Sequence, residues 1–84
     1  MLEKSVTIQL DPGLQARPAA QFVQEANRFQ SHIILEKDGN QVNAKSIMGV
    51  MSLAITQGES VKLIVEGDDA QVALDHLVSF VTTP

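Results

Sequence analysis

The sequence predicts an α+β domain in the order βαββαβα: a four-stranded antiparallel sheet with three helices on one of its faces. Three observations carry that expectation. Short stretches alternate polar and apolar residues, as half-buried strands do. Longer stretches repeat apolar residues every three or four positions, as helices resting on a core do. Turn residues separate the two kinds. With 84 residues, one domain over 1–84 is expected, and laying all helices over one sheet face is the economical way to bury three apolar stripes.

Taken in order, Ser5 to Leu10 turns Val6, Ile8 and Leu10 to one side and Ser5, Thr7 and Gln9 to the other. Asp11-Pro12-Gly13 then breaks the strand. From Arg17 to about Phe29, the residues Ala19, Phe22, Val23, Ala26 and Phe29 form a helical stripe, with Pro18 near its start where a fixed φ is tolerated. Ser31–Glu36 and Gln41–Ala44 flank Lys37-Asp38-Gly39-Asn40, and the Asp-Gly pair suits a tight hairpin turn. A short helix over Ser46–Ala54 follows, closed by Gly58. Ser60–Glu66 alternates with Val61, Leu63 and Val65 inward. Gly67-Asp68-Asp69, read as a solvated turn, leads into a last helix with Ala70, Ala73, Leu74, Leu77, Val78 and Val81 on one face.

Composition excludes several classes of function. The absence of cysteine removes disulfides and zinc–thiolate sites. No run of about 18 apolar residues exists to span a membrane, and the first residues lack the apolar core of a signal peptide, so a cytoplasmic protein is expected. The net charge is −4, and the six Lys and Arg residues are scattered. Duplex affinity comes largely from basic side chains on phosphates, so direct binding to nucleic acid is not expected. His32 opens a strand. His76 lies about 200° around its helix from Leu74, which points it to solvent without partners. Glu36 and Glu66 read as a wet sheet face. No catalytic set, metal site or cofactor emerges, and no enzyme activity is expected.

One segment is unusual. Gly13-Leu14-Gln15-Ala16-Arg17-Pro18-Ala19-Ala20 places a glycine turn, a polar side chain and an arginine at a helix opening. Free backbone N–H groups and a positive dipole end make such an opening ready for an anion. The residue at the tip is Gln15, whose amide nitrogen is neither a base nor a useful nucleophile near pH 7.

These residues resemble the GxHARPA motif of HPr, the histidine-containing phosphocarrier of the bacterial sugar phosphotransferase system. A second stretch, Lys45-Ser46-Ile47-Met48-Gly49-Val50-Met51, resembles the regulatory serine region of HPr in low-GC Gram-positive bacteria. The likeness spans essentially the whole chain and implies the HPr-like open-faced sandwich. It also implies that Gln15 stands where a phosphocarrier has its histidine, so that carrier activity is absent. Val42-Asn43-Ala44-Lys45-Ser46 and Gln24-Glu25-Ala26-Asn27-Arg28-Phe29 are similar to the catabolite-repression branch of the family in bacilli. For that branch the resemblance implies phosphorylation of Ser46 by HPr kinase/phosphorylase. The phosphorylated form is then expected to act as corepressor of catabolite control protein A, a repressor of the lactose-repressor class.

The residues themselves are compatible with that role. Ser46 precedes a helical run, where a serine is most simply an N-cap. Counting about 100° per residue from Val50, Leu53 and Ala54 fall within about 60° and face the core, while Met51 and Met48 at about 100° and 160° point outward. Ile47 lies at the margin. The methionines are either gap-filling or an adaptable docking surface; the phosphorylatable serine beside them favours docking. Arg17 is either a solvated charge or, as the resemblance implies, a group reaching a partner's carboxylate. The expected binding surface is drawn from the starts of the first two helices and comprises Gln15, Arg17, Ala20, Gln24, Lys45, Ser46, Ile47, Met48 and Met51. The alternatives are a phosphocarrier with its histidine substituted, or an adaptor of a metabolic enzyme that ignores phosphorylation. Strand edges also leave a homodimer open.

Overall fold

The computed structural model describes every residue from Met1 to Pro84. Strand β1 (Leu2–Thr7) pairs antiparallel with β6 (Ser60–Glu66), from Leu2↔Val65 to Thr7↔Ser60. The expected first strand, Ser5–Leu10, is therefore shifted towards the N-terminus. Its ladder ends at Thr7 because its partner begins at Ser60. Ile8 still donates to the Glu59 carbonyl, but Gln9 turns to the Val81 carbonyl. Ile8 is buried beyond the end of the strand.

Helix α1 (Ala16–Ala26) buries Ala19, Phe22 and Ala26. It stops short of Phe29 because Arg28 and Phe29 donate to Glu25 and Ala26, three residues back rather than four, a tightening common at helix ends. Strands β3 (His32–Lys37) and β4 (Asn40–Asn43) form the expected hairpin with a two-residue turn, narrower than the four residues anticipated. Asp38 and Gly39 have φ of +53° and +81°, as such a turn requires to match the strand twist.

Helix α2 (Ile47–Ser52) is also shorter than the sequence suggests. Leu53 caps it and Ala54 takes φ +49°. Ala54 thereby leaves the helical wheel, and it is exposed rather than in the core. Two further strands, β2 (Gly13–Leu14) and β5 (Ile55–Thr56), pair as a small separate ribbon that was not anticipated. Helix α3 (Ala70–Thr82) buries Ala70, Ala73, Leu74, Leu77 and Val81.

The main sheet has the order β1-β6-β3-β4, antiparallel throughout. Inward residues Val6, Ile33, Leu35, Val61, Leu63 and Val65 meet the apolar stripes of α1 and α3 around fully buried Phe22 and Leu77. The other sheet face has no layer over it. This is the four-stranded, three-helix sandwich expected from the periodicities.

Candidate functional site

The opening of α1 is held by backbone geometry. Gly13 has φ +122°, and a Cβ there would lie 2.4 Å from the Ile55 carbonyl oxygen, so only glycine lets β2 approach β5 this closely. Leu14 is fully buried and anchors the turn. Gln15 is extended, and its Nε2 donates to the Ile55 carbonyl at 3.1 Å. Ala16 then adopts φ +53°, a left-handed conformation that costs a non-glycine residue about 1–3 kcal/mol. Arg17 emerges exposed, with no ion pair, at a helix start that has no side-chain cap and no acidic residue in its first turn. The Gln15 amide is thus committed to holding the loop. An amide has no basic lone pair on nitrogen to attack phosphorus with.

At the start of α2, Ser46 is extended and its Oγ accepts the Gly49 N–H at 3.2 Å, the N-cap bond expected of it. A Cβ on Gly49 would sit 3.3 Å from the Val42 Cβ, which explains a glycine inside so short a helix: α2 lies close on β4. Val50 is buried against the core. The opposite side is open, with Met48 77%, Met51 46% and Ile47 37% exposed. The Lys45 ammonium does not reach out beside Ser46; it donates to the Phe29 carbonyl at 2.7 Å, just past the end of α1.

These links fix how the two helices lie. The Asn27 amide and the Phe29 carbonyl at the end of α1 bond to Lys45 at the start of α2. Gln15 at the start of α1 bonds to Ile55, beyond the end of α2. The helices therefore run in opposite senses. A surface drawn from both helix starts is corrected by this geometry: Gln15 and Arg17 stand at one end of the pair, Lys45 and Ser46 at the other. Exposed Ala20 and Gln24 on α1, and Ile47, Met48 and Met51 on α2, occupy the length between.

Several polar residues carry more structure than their sequence context suggested. His76 is not partnerless: its Nε2 pairs with Glu25 Oε1, and its ring packs 5.5 Å from that of Phe29. The bond to His76, helped by Arg28 at 2.8 Å, lowers the Glu25 pKa. Asp69 is not a merely solvated turn residue. It accepts from the Ser31 hydroxyl and from the Gln30 and Ser31 backbone N–H groups, and those bonds, the Ser31 hydroxyl first, lower its pKa. The Lys37 ammonium bonds the Leu53 carbonyl at 3.1 Å and Glu59 at 2.7 Å, pinning the end of α2 and lowering the Glu59 pKa. One signal for Lys37 was available, since it falls on the inward phase of Ile33 and Leu35. The Glu25–His76 pair is 51 residues apart and had none.

Comparison with known proteins gives a consistent picture. Residues 2–83 match the family described as PTS HPr component phosphorylation site. The HPr-like protein Crh of Halalkalibacterium halodurans is 62% identical over 81 residues, 96% of each chain. Among solved structures, phosphocarrier protein HPr from Bacillus anthracis superposes with a TM-score of 0.95 at 57% identity, covering 96% of both chains. Crh from Bacillus subtilis, in a crystal form described as a dimer with a swapping domain, gives a TM-score of 0.77 at 59% identity, covering 96% of this chain and 93% of that one.

Proposed function

This chain belongs to the HPr family, and from that premise we propose that it is a non-enzymatic regulator of carbon catabolite repression switched by phosphorylation of Ser46. HPr kinase/phosphorylase is the proposed modifying enzyme. The Ser46 hydroxyl attacks the γ-phosphorus of ATP, its proton passes to a base of the kinase, and ADP leaves. The phosphorylated form docks on catabolite control protein A as its corepressor, so the chain acts on genes through a partner and works in the cytoplasm.

The observation that carries this reading is the position of Ser46 at the tip of α2, beside exposed Met48 and Met51. Phosphorylation adds about −1.5 to −2 charge at the positive end of a helix, where a dipole favours it by roughly 0.3–1 kcal/mol. The modification therefore suits the helix that carries it. The nearest cation, Lys45, is occupied by the Phe29 carbonyl, which favours reading of the phosphate by a partner's basic side chains. The flexible methionines beside it suit an adaptable contact, with Arg17, Ala20 and Gln24 extending the surface along α1. Gln15, at the family's histidine position, supports the loss of carrier activity.

Intact-mass analysis with peptide mapping tests this. Incubation with HPr kinase/phosphorylase and ATP should add one phosphate, on Ser46, and incubation with enzyme I and phosphoenolpyruvate should add none. Phosphate transfer from enzyme I would overturn the reading in favour of a carrier. Equal repressor binding by the Ser46→Ala and phosphorylated proteins would favour a phosphorylation-independent adaptor. The swapping dimer of the Bacillus subtilis relative and the unpaired outer edge of β1 support a homodimer as well, which light scattering across a concentration series checks.

A further inference from the structure

The uncovered face of the main sheet is not uniformly polar. Register places Glu3, Ile64, Ile34 and Asn43 in one row across all four strands. Half-buried Ile34 and Ile64 form the floor of a groove of about 260 Å³ bordered by Met1, Glu3, His32, Gln41 and Glu66. The next row holds Lys62 and Glu36. Lys62 lies 3.6 Å from Glu3 and 4.0 Å from Glu36, whereas Glu66 has no ion-pair partner. Three carboxylates (Glu3, Glu36, Glu66) against the Lys62 ammonium and the Met1 N-terminus, which also lines the groove, leave this face with one net negative charge.

We propose that this sheet face docks an extended basic segment of a protein partner, with an arginine side chain seated in the Ile34–Ile64 groove between Glu3 and Glu66. The groove is below the usual size of small-molecule sites, about 300–1,000 Å³, but suits one long side chain. The aliphatic stem covers the isoleucines while the charged head stays at the polar rim. Glu3 and Glu66 lie diagonally on neighbouring strands, with Cα atoms about 7–8 Å apart, so a planar guanidinium can donate to both. A second copy is disfavoured as occupant, because face-to-face stacking would bring two net-negative faces together and supply no guanidinium to the groove. The proposal does not depend on Ser46.

The test is a titration of the ¹⁵N-labelled full chain with the peptide acetyl-Leu-Arg-Leu-Arg-Leu-amide, using acetyl-Leu-Glu-Leu-Glu-Leu-amide as control. Amide shifts should centre on residues 3, 32–34 and 64–66, with a dissociation constant of about 1 mM or tighter. Raising ionic strength from about 0.01 to 0.15 M should weaken binding severalfold, because screening shortens the reach of the exposed carboxylates from about 30 to about 8 Å. The Glu3→Gln/Glu66→Gln double variant, altered only at exposed positions, should bind at least about threefold more weakly with an unchanged melting temperature. Shifts centred on Met48 and Met51, equal binding of the acidic peptide, no binding, or an unaffected double variant would each overturn the proposal.

Discussion

Ser46 has a structural role and a signalling role, and substitutions can separate them. Ser46→Ala removes the acceptor of the Gly49 N–H and should cost about 1 kcal/mol in urea unfolding, besides abolishing phosphate uptake. Ser46→Asp keeps a capping oxygen and so most of the stability. It carries one charge and two oxygens where phosphoserine has nearly two charges and three, so it should be at best a weak mimic in repressor binding. Met48, 77% exposed, makes the complementary case. Met48→Ala should change stability by less than about 0.5 kcal/mol while weakening the repressor complex. Phe22→Ala, at a fully buried position, should cost about 3–5 kcal/mol. A large loss of stability in Met48→Ala would show that the side chain supports the core instead.

At the scale of the elements, the β2–β5 ribbon fixes the site although it spans two residues in each strand. Gly13→Ala would force a left-handed φ and push a methyl into the Ile55 carbonyl. The cost should exceed about 1 kcal/mol, and amide shifts should spread from residue 13 to Gln15 and Ile55. Such a ribbon leaves no periodicity in the sequence, which is why the alternating strands and striped helices were legible and this element was not. Helix ends were missed for a related reason. Asn27 ends α1 and Ala54 leaves α2 through backbone bonds that apolar spacing does not encode. The exposed side of α2 was legible, since Met51 and Met48 fall about 100° and 160° from Val50 on the wheel. The opposed directions of α1 and α2 were not, because they depend on Lys45 reaching Phe29 and Gln15 reaching Ile55.

For the molecule as a whole, acid should be the sensitive condition. Glu25, Glu59 and Asp69 each have a lowered pKa, set first by His76, Lys37 and Ser31 respectively. A carboxyl that is more acidic folded than unfolded stabilises fully above its unfolded pKa, about 4. That contribution is lost as pH falls through the folded value, because the unfolded chain then binds more protons. The melting temperature should therefore fall as the pH drops below about 4, and Asp69→Asn should make that decline shallower. A slope unchanged in Asp69→Asn would remove its bonds to Gln30 and Ser31 from the account. The strand order β1-β6-β3-β4 has one more consequence, in time rather than energy. The N-terminal strand emerges from the ribosome first, yet its only ladder partner starts at Ser60, opposite Thr7, so it waits for roughly fifty more residues. At about 5–20 residues per second, the nascent chain carries an unmatched strand for several seconds. During that interval the same six residues can meet the β6 of a neighbouring polypeptide as readily as their own.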